Sequence, residues 1–159
     1  MRRSWHPEFL YAGRNVYAAL LALAGGDTFD FVSLQLYESW SVADCNISGL
    51  GQLPEVYLPR LAAAMAAGWT VDFSSVPALG LSKQVVSVPL DRLVFGLANG
   101  WTKPAPPAQK ALLLLPTQVA KAYSAMAAKV RGFMFWDIAD DSPSLALASG
   151  LNAFLKVRP

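Results

Sequence analysis

Three apolar runs constrain the fold of this chain more than any other feature. Phe29–Tyr37 (FDFVSLQLY), Leu93–Leu97 (LVFGL) and the stretch from Gly132 to Ile138 (GFMFWDI) are dominated by apolar, β-branched and aromatic residues. Runs of this length and make-up read as strands covered on both faces. Helical patterns separate them. AGRNVYAALLALAGG reads as a helix that ends at Gly25-Gly26. After the polar, glycine-rich loop ESWSVADCNISGLGQ, Pro54 suits a helix start, and the pattern continues to Gly68. Pro59 is expected to kink that helix or delay its beginning. WTVDFSSV and QVVSVPLDR then lead into the second strand, and a proline-rich loop, PAPPAQK, precedes a helix expected over Thr117–Lys129. SPSLALASGLNAFL closes the chain as a short helix, with Ser142 as its cap and Pro143 at its first position. Buried strands alternating with helices predict an α/β fold with parallel strands.

The composition sharpens this picture. With 159 residues the chain is one domain's worth, long enough to bury a real core. Apolar residues make up 54% and charged residues only 15%, against a usual balance of roughly 45–50% and about 25%. Such a surplus is expected to face another layer, another subunit or a missing part of the fold. It does not form a membrane span, because uninterrupted runs such as Ala111–Leu115 fall far short of the roughly 20 residues required. A net charge of +2 with no basic stripe beyond Arg2-Arg3 leaves no nucleic-acid footprint. The single cysteine, Cys45, excludes an internal disulfide and any multi-cysteine metal site, and no metal or cofactor is expected. The opening MRRSWHPEFLY has two arginines but no apolar segment after them, so it reads as no signal peptide and gives no compartment.

Acids follow the third apolar run at Asp137, Asp140 and Asp141, and the ends of parallel strands are where α/β enzymes place their chemistry. Four fragments in order carry a more specific signal: HPEFLY at 6–11, DFVSLQLYESW at 30–40, RLVFGLANGW at 92–101 and RGFMFWDIADD at 131–141. Together they resemble strands 5 to 8 of glycoside hydrolase family 18, the chitinase-type (β/α)8 barrel. Pro7-Glu8 keeps the family's Pro-Glu at the end of strand 5, whereas His6 departs from it. Gln35-Leu36-Tyr37-Glu38 is similar to the Gln-x-Tyr-Asn of strand 6, departing at Glu38. Gly96-Leu97-Ala98 lacks the proline of the strand 7 motif, and Gly132, Met134 and Trp136 match the Gly-x-Met-x-Trp of strand 8.

The resemblance implies half of a TIM barrel, strands 5 to 8 with their helices, as a single partial domain over residues 1–159. The N-terminal half is then absent, since a full barrel needs about 250 residues. Also absent is the family's Asp-x-x-Asp-x-Asp-x-Glu, whose glutamate is the general acid: Glu8, Glu38 and Glu55 are the only glutamates, and none has aspartates two and four positions before it. In the complete enzymes β-1,4-linked N-acetylglucosamine polymers are hydrolysed with retention, the substrate's acetamido oxygen acting as nucleophile. Tyr37 matches the tyrosine that steadies this group as the oxazolinium ion forms, and Trp136 matches the tryptophan under the sugar. Gln35 would orient its neighbours or contact sugar, and Glu38 stands at the usual Asn or Asp position. Plainer roles remain beside these: Tyr37 and Trp136 as ordinary strand residues, Gln35 as a satisfied polar group, and the three acids as a loop and a helix N-terminus.

The expected function is thus a chitinase-like region that hydrolyses chitin poorly or not at all alone. The alternative is a non-catalytic carbohydrate-binding or scaffold protein, with Trp40, Trp101 and Trp136 along a sugar face. Chitin or an N-acetylglucosamine oligosaccharide is the expected partner. Val32, Leu34, Leu36, Val94, Phe95, Phe133 and Phe135 are expected to put apolar side chains on both strand faces. Self-association, or pairing with a missing half-barrel, would follow. Asn46-Ile47-Ser48 is an N-glycosylation pattern that matters only in a secreted protein.

Overall fold

The computed structural model describes residues 10–11, 14–25, 27–37, 41–99, 112–141 and 144–156. Among these, the three apolar runs form a parallel sheet: β3 (Val32–Gln35), β6 (Leu93–Ala98) and β7 (Gly132–Trp136), in the order β3-β6-β7. Each strand therefore lies beside the next of the set in the chain, with β6 in the middle. The molecule is a mixed α/β protein. Two antiparallel hairpins accompany the sheet, β1 (Leu10–Tyr11) with β2 (Arg14–Asn15) and β4 (Trp69–Asp72) with β5 (Lys83–Val86). The fragment expected as strand 5 thus contributes Leu10–Tyr11 to a hairpin, while His6, Pro7 and Glu8 lie outside the described residues.

Among the described residues, five α-helices accompany these strands: α1 (Val16–Ala24), α2 (Val42–Asp44), α3 (Pro54–Ala67), α4 (Pro116–Ala125) and α5 (Ala146–Leu155). Glycines end α1 and α3 for a clear reason, since Gly25 and Gly68 both have φ of 82°, a conformation that penalises a side chain. Pro54 opens α3, which runs through Pro59 without a delayed start. Helix α4 stops at Ala125, four residues before the expected end. There Lys129 turns back, and its Nζ donates to the carbonyls of Tyr123, Ser124 and Met126 at 2.7–3.0 Å. Helix α5 begins at Ala146, while Ser142 and Pro143, expected as its cap and first residue, lie outside the described residues. Leu145 holds the cap position at φ 50°, and the carboxylate of Asp141 accepts from the backbone N–H groups of Leu147 and Ala148.

One face of the sheet builds the core. Val32, Leu34 and Leu36, then Leu93, Phe95 and Leu97, then Phe133 and Phe135 alternate along their strands and pack with α3, α4 and α5. Phe133 meets Phe95, Tyr123 and Phe154 at ring-centroid distances of 6.3, 5.8 and 5.9 Å, joining β7 to β6, α4 and α5. Helix α1 packs mainly elsewhere, its Ala18 buried with Phe73 and Val86 of the β4–β5 region, while its Leu21 also touches the main core. Apolar side chains stand on both faces, but the seven residues expected to supply them divide unevenly. Six of the seven residues named lie on the helix-packed face, and Val94 alone lies on the other, only 8% exposed.

Arginines tie the strand beginnings together. The Arg92 guanidinium donates to the Asp27 and Phe29 carbonyls ahead of β3, at 2.8 and 2.6 Å. The backbone N–H of Arg131 donates to the Leu90 and Leu93 carbonyls before β7. The opposite, C-terminal end of the sheet carries the candidate site.

Candidate functional site

The second face of the sheet is built from the alternate residues, and its register is fixed by the ladder. Ser33 lies level with Val94 and Gly132, and Gln35 with Gly96 and Met134. Two residues further on, Ala98 pairs with Trp136 of β7. The N–H of Leu36 donates to the Gly96 carbonyl at 2.9 Å, carrying the β3–β6 ladder past Gln35. The same register sets Tyr37 level with Ala98, on the face of Ser33 and Gln35. Tyr37 and Trp136 therefore flank β6 at the C-terminal end of the sheet. Two strand spacings separate their backbones by roughly 10 Å, with the buried Ala98 between them.

Small residues on the central strand make this arrangement possible. A Cβ at Gly96 would lie 3.0 Å from the Met134 sulfur and 3.3 Å from the Gln35 Cα. Glycine there lets Met134 lie across β6 toward Gln35. Gln35 is exposed, Tyr37 half-buried and Trp136 exposed over 62% of its surface. An indole this exposed at a strand end offers an apolar plane to a ligand. Glu38, Trp40 and Trp101 lie outside the described residues.

Backbone contacts fix both flanking positions. The Tyr37 carbonyl accepts from the N–H of Leu112 at 2.9 Å, and the Trp136 carbonyl from the N–H of Asn99 at 2.9 Å. The Trp136–Asp137 peptide is cis, and the Asn99 side-chain amide donates to the Asp137 carbonyl at 3.2 Å. Asn99 is absent from the residues read as functional in the sequence. Its only signal there is an Asn-Gly pair just after a buried strand, which reads as a turn.

The acids divide. Asp141 caps α5 through both carboxylate oxygens, so its negative charge serves the helix N-terminus, as the plainer reading had it. Asp137 is half-buried beside the site. Glu55, the one glutamate among the described residues, stands in the first turn of α3. Among the described residues no group of three or more His, Cys, Asp or Glu is placed to hold a metal ion, and no helix is long and apolar enough to cross a membrane. Away from the site, Asn46 of the glycosylation pattern lies in the π-helical turn Cys45–Gly49, its side-chain amide donating to the Val42 carbonyl at 2.7 Å.

Chemically, this end of the sheet offers an exposed aromatic plane and a half-buried phenol on either side of the buried Ala98, with the exposed amide of Gln35 one step below. That combination stacks and hydrogen-bonds a ring that has one apolar face and polar edges. The chain matches no known family model and no curated protein.

Proposed function

We propose that this chain is a chitinase-like glycoside hydrolase region, corresponding to strands 5 to 8 of a family 18 barrel, with β3, β6 and β7 as its strands 6, 7 and 8. A single observation carries the reading. Gln35, Tyr37, Gly96, Met134 and Trp136, drawn from three separate motifs, come level on one face and toward one end of a parallel sheet. The progressive order β3-β6-β7 is also what successive strands of a barrel wall require. Trp136 acts as the platform under an N-acetylglucosamine unit, Tyr37 faces its acetamido group, and Gln35 contacts or orients the sugar.

The chain contains no Asp-x-x-Asp-x-Asp-x-Glu, so no residue occupies the general-acid role. General acid catalysis contributes typically 10²–10⁴-fold, and the isolated chain is expected to leave a fluorogenic chitobioside essentially uncleaved. Robust turnover abolished by Tyr37→Phe would overturn that. A non-catalytic carbohydrate-binding protein is the second reading, favoured by the exposed Trp136 beside a face with no such acid. Retention on chitin without hydrolysis, weakened by Trp136→Ala, supports it, and failure to bind chitin removes it.

A further inference from the structure

We infer that Asn99 is the positioning residue that aims the Trp136 indole, and so sets the affinity of the face for its sugar. Trp136 is 62% exposed, so packing does little to hold its ring. Its direction depends on the Cα–Cβ vector, which the backbone on either side of Trp136 determines. Asn99 grips that backbone twice. Its N–H donates to the Trp136 carbonyl at 2.9 Å, and its side-chain amide donates to the Asp137 carbonyl at 3.2 Å. Two successive carbonyls are thereby fixed just where the β6–β7 ladder ends at the pair Ala98–Trp136. The anchor is firm because Asn99 directly follows β6, whose six residues are all buried. Gln35, by contrast, stands on β3, the far strand of the sheet.

The effect on sugar affinity rests on the platform reading of Trp136, whereas the effect on the indole does not, and the test separates them. Near-ultraviolet circular dichroism of the full chain, taken as the difference between each protein and its Trp136→Phe partner, isolates this indole from the other four tryptophans. Asn99→Ala and Asn99→Asp are expected to change that difference signal while the far-ultraviolet spectrum stays native. Both should weaken binding of N-acetylglucosamine tetrasaccharide roughly three- to tenfold, the scale of one hydrogen bond. Asn99→Asp carries a further signature. Its carboxylate has no donor for the Asp137 carbonyl at neutral pH, but regains one on protonation, near the ordinary carboxyl range of about 4. Its defect should therefore shrink as pH falls through that range, while that of Asn99→Ala does not. If Asn99→Ala fails to fold, this pH-dependent recovery in Asn99→Asp decides the matter. An unchanged indole signal in both variants, or no recovery in Asn99→Asp, overturns the role of Asn99 whatever the sugar does. A changed signal with no sugar binding by any variant, wild type included, leaves Asn99 as the positioning residue and removes the platform reading instead.

Discussion

Tyr57 and Asp141 serve the scaffold instead of the site, and each makes a prediction. Tyr57 is buried on α3, and that burial, with a smaller contribution from Cys45, pushes its phenol up to about 12 from an ordinary 10.0. A raised folded-state value favours the neutral phenol. The associated stability is complete below pH 10 and is lost as pH climbs from 10 toward 12. The rise from 10.0 to about 12 bounds this loss at about 3 kcal/mol, less whatever solvent screening takes away. Urea midpoints measured across that window should fall more steeply for the wild type than for Tyr57→Phe; parallel curves would mean the phenol is solvated. Asp141→Ala removes both acceptors from the start of α5. It should cost about 1 kcal/mol in the same assay, the usual worth of a helix cap. At this scale the sequence conveys kinds of residue better than partners. The motif around Gly132, Met134 and Trp136 singles out Trp136 in the sequence, and the structure puts this indole, largely exposed, at the end of β7. Asn99 stays hidden, since the Asp137 carbonyl it meets lies 38 residues further along the chain.

Elements become legible when their own residues define them. The strands β6 and β7 follow from unbroken apolar character, whereas β3 alternates, with Ser33 and Gln35 exposed instead of covered on both faces. Gly25 and Gly68 mark the ends of α1 and α3, but the start of α1 is not legible, since Arg14–Asn15 form β2 instead of its first turn. The β4–β5 hairpin is not legible in this way. Its strands are four residues each, WTVD and KQVV, and no two-residue turn joins them. The ends of α4 and α5 are set by Lys129 and Asp141 reaching in from outside the helices, which periodicity does not register. Contact between these two helices makes a sharp prediction. Alanine normally stabilises a helix interior by up to about 1 kcal/mol over glycine. At Gly150 of α5, however, a Cβ would collide with the Pro116 ring of α4, coming 2.8 Å from its Cγ. Gly150→Ala should therefore destabilise the fold by about 1–3 kcal/mol. Gly132→Ala, where a Cβ meets nothing within 4 Å, should be neutral or mildly stabilising. Equal effects at the two positions, read from thermal melts, would contradict the close approach of α4 and α5.

Across the whole molecule the apolar surplus in the composition reappears at the surface, though not where the sequence pointed. The second face of the sheet is mixed, with Ser33, Gln35, Gly96 and Gly132 beside Val94, Ala98, Met134 and Trp136. Exposed apolar side chains gather instead on α1, at Val16, Tyr17, Leu20 and Leu23, with Phe31, Trp136 and Ile138 near the sheet. Among the described residues, β3 and β7 each have one strand neighbour, which leaves two sheet edges. Covering several hundred Å² of such surface would be worth on the order of 10 kcal/mol before the cost of association. The purified chain should thus run as a dimer or larger species in size-exclusion chromatography with light scattering. A monomer with a cooperative melt and no dye-binding surface would favour a closed, independent α/β domain over a half-barrel. The central claim, that the Tyr37–Trp136 end of the sheet receives N-acetylglucosamine units, is tested most directly by calorimetric titration of the full chain with the tetrasaccharide, in wild type and Trp136→Ala. The account predicts saturable binding that falls at least tenfold in the variant, with the far-ultraviolet spectrum unchanged. Equal binding by both proteins, or none by the wild type, would contradict it.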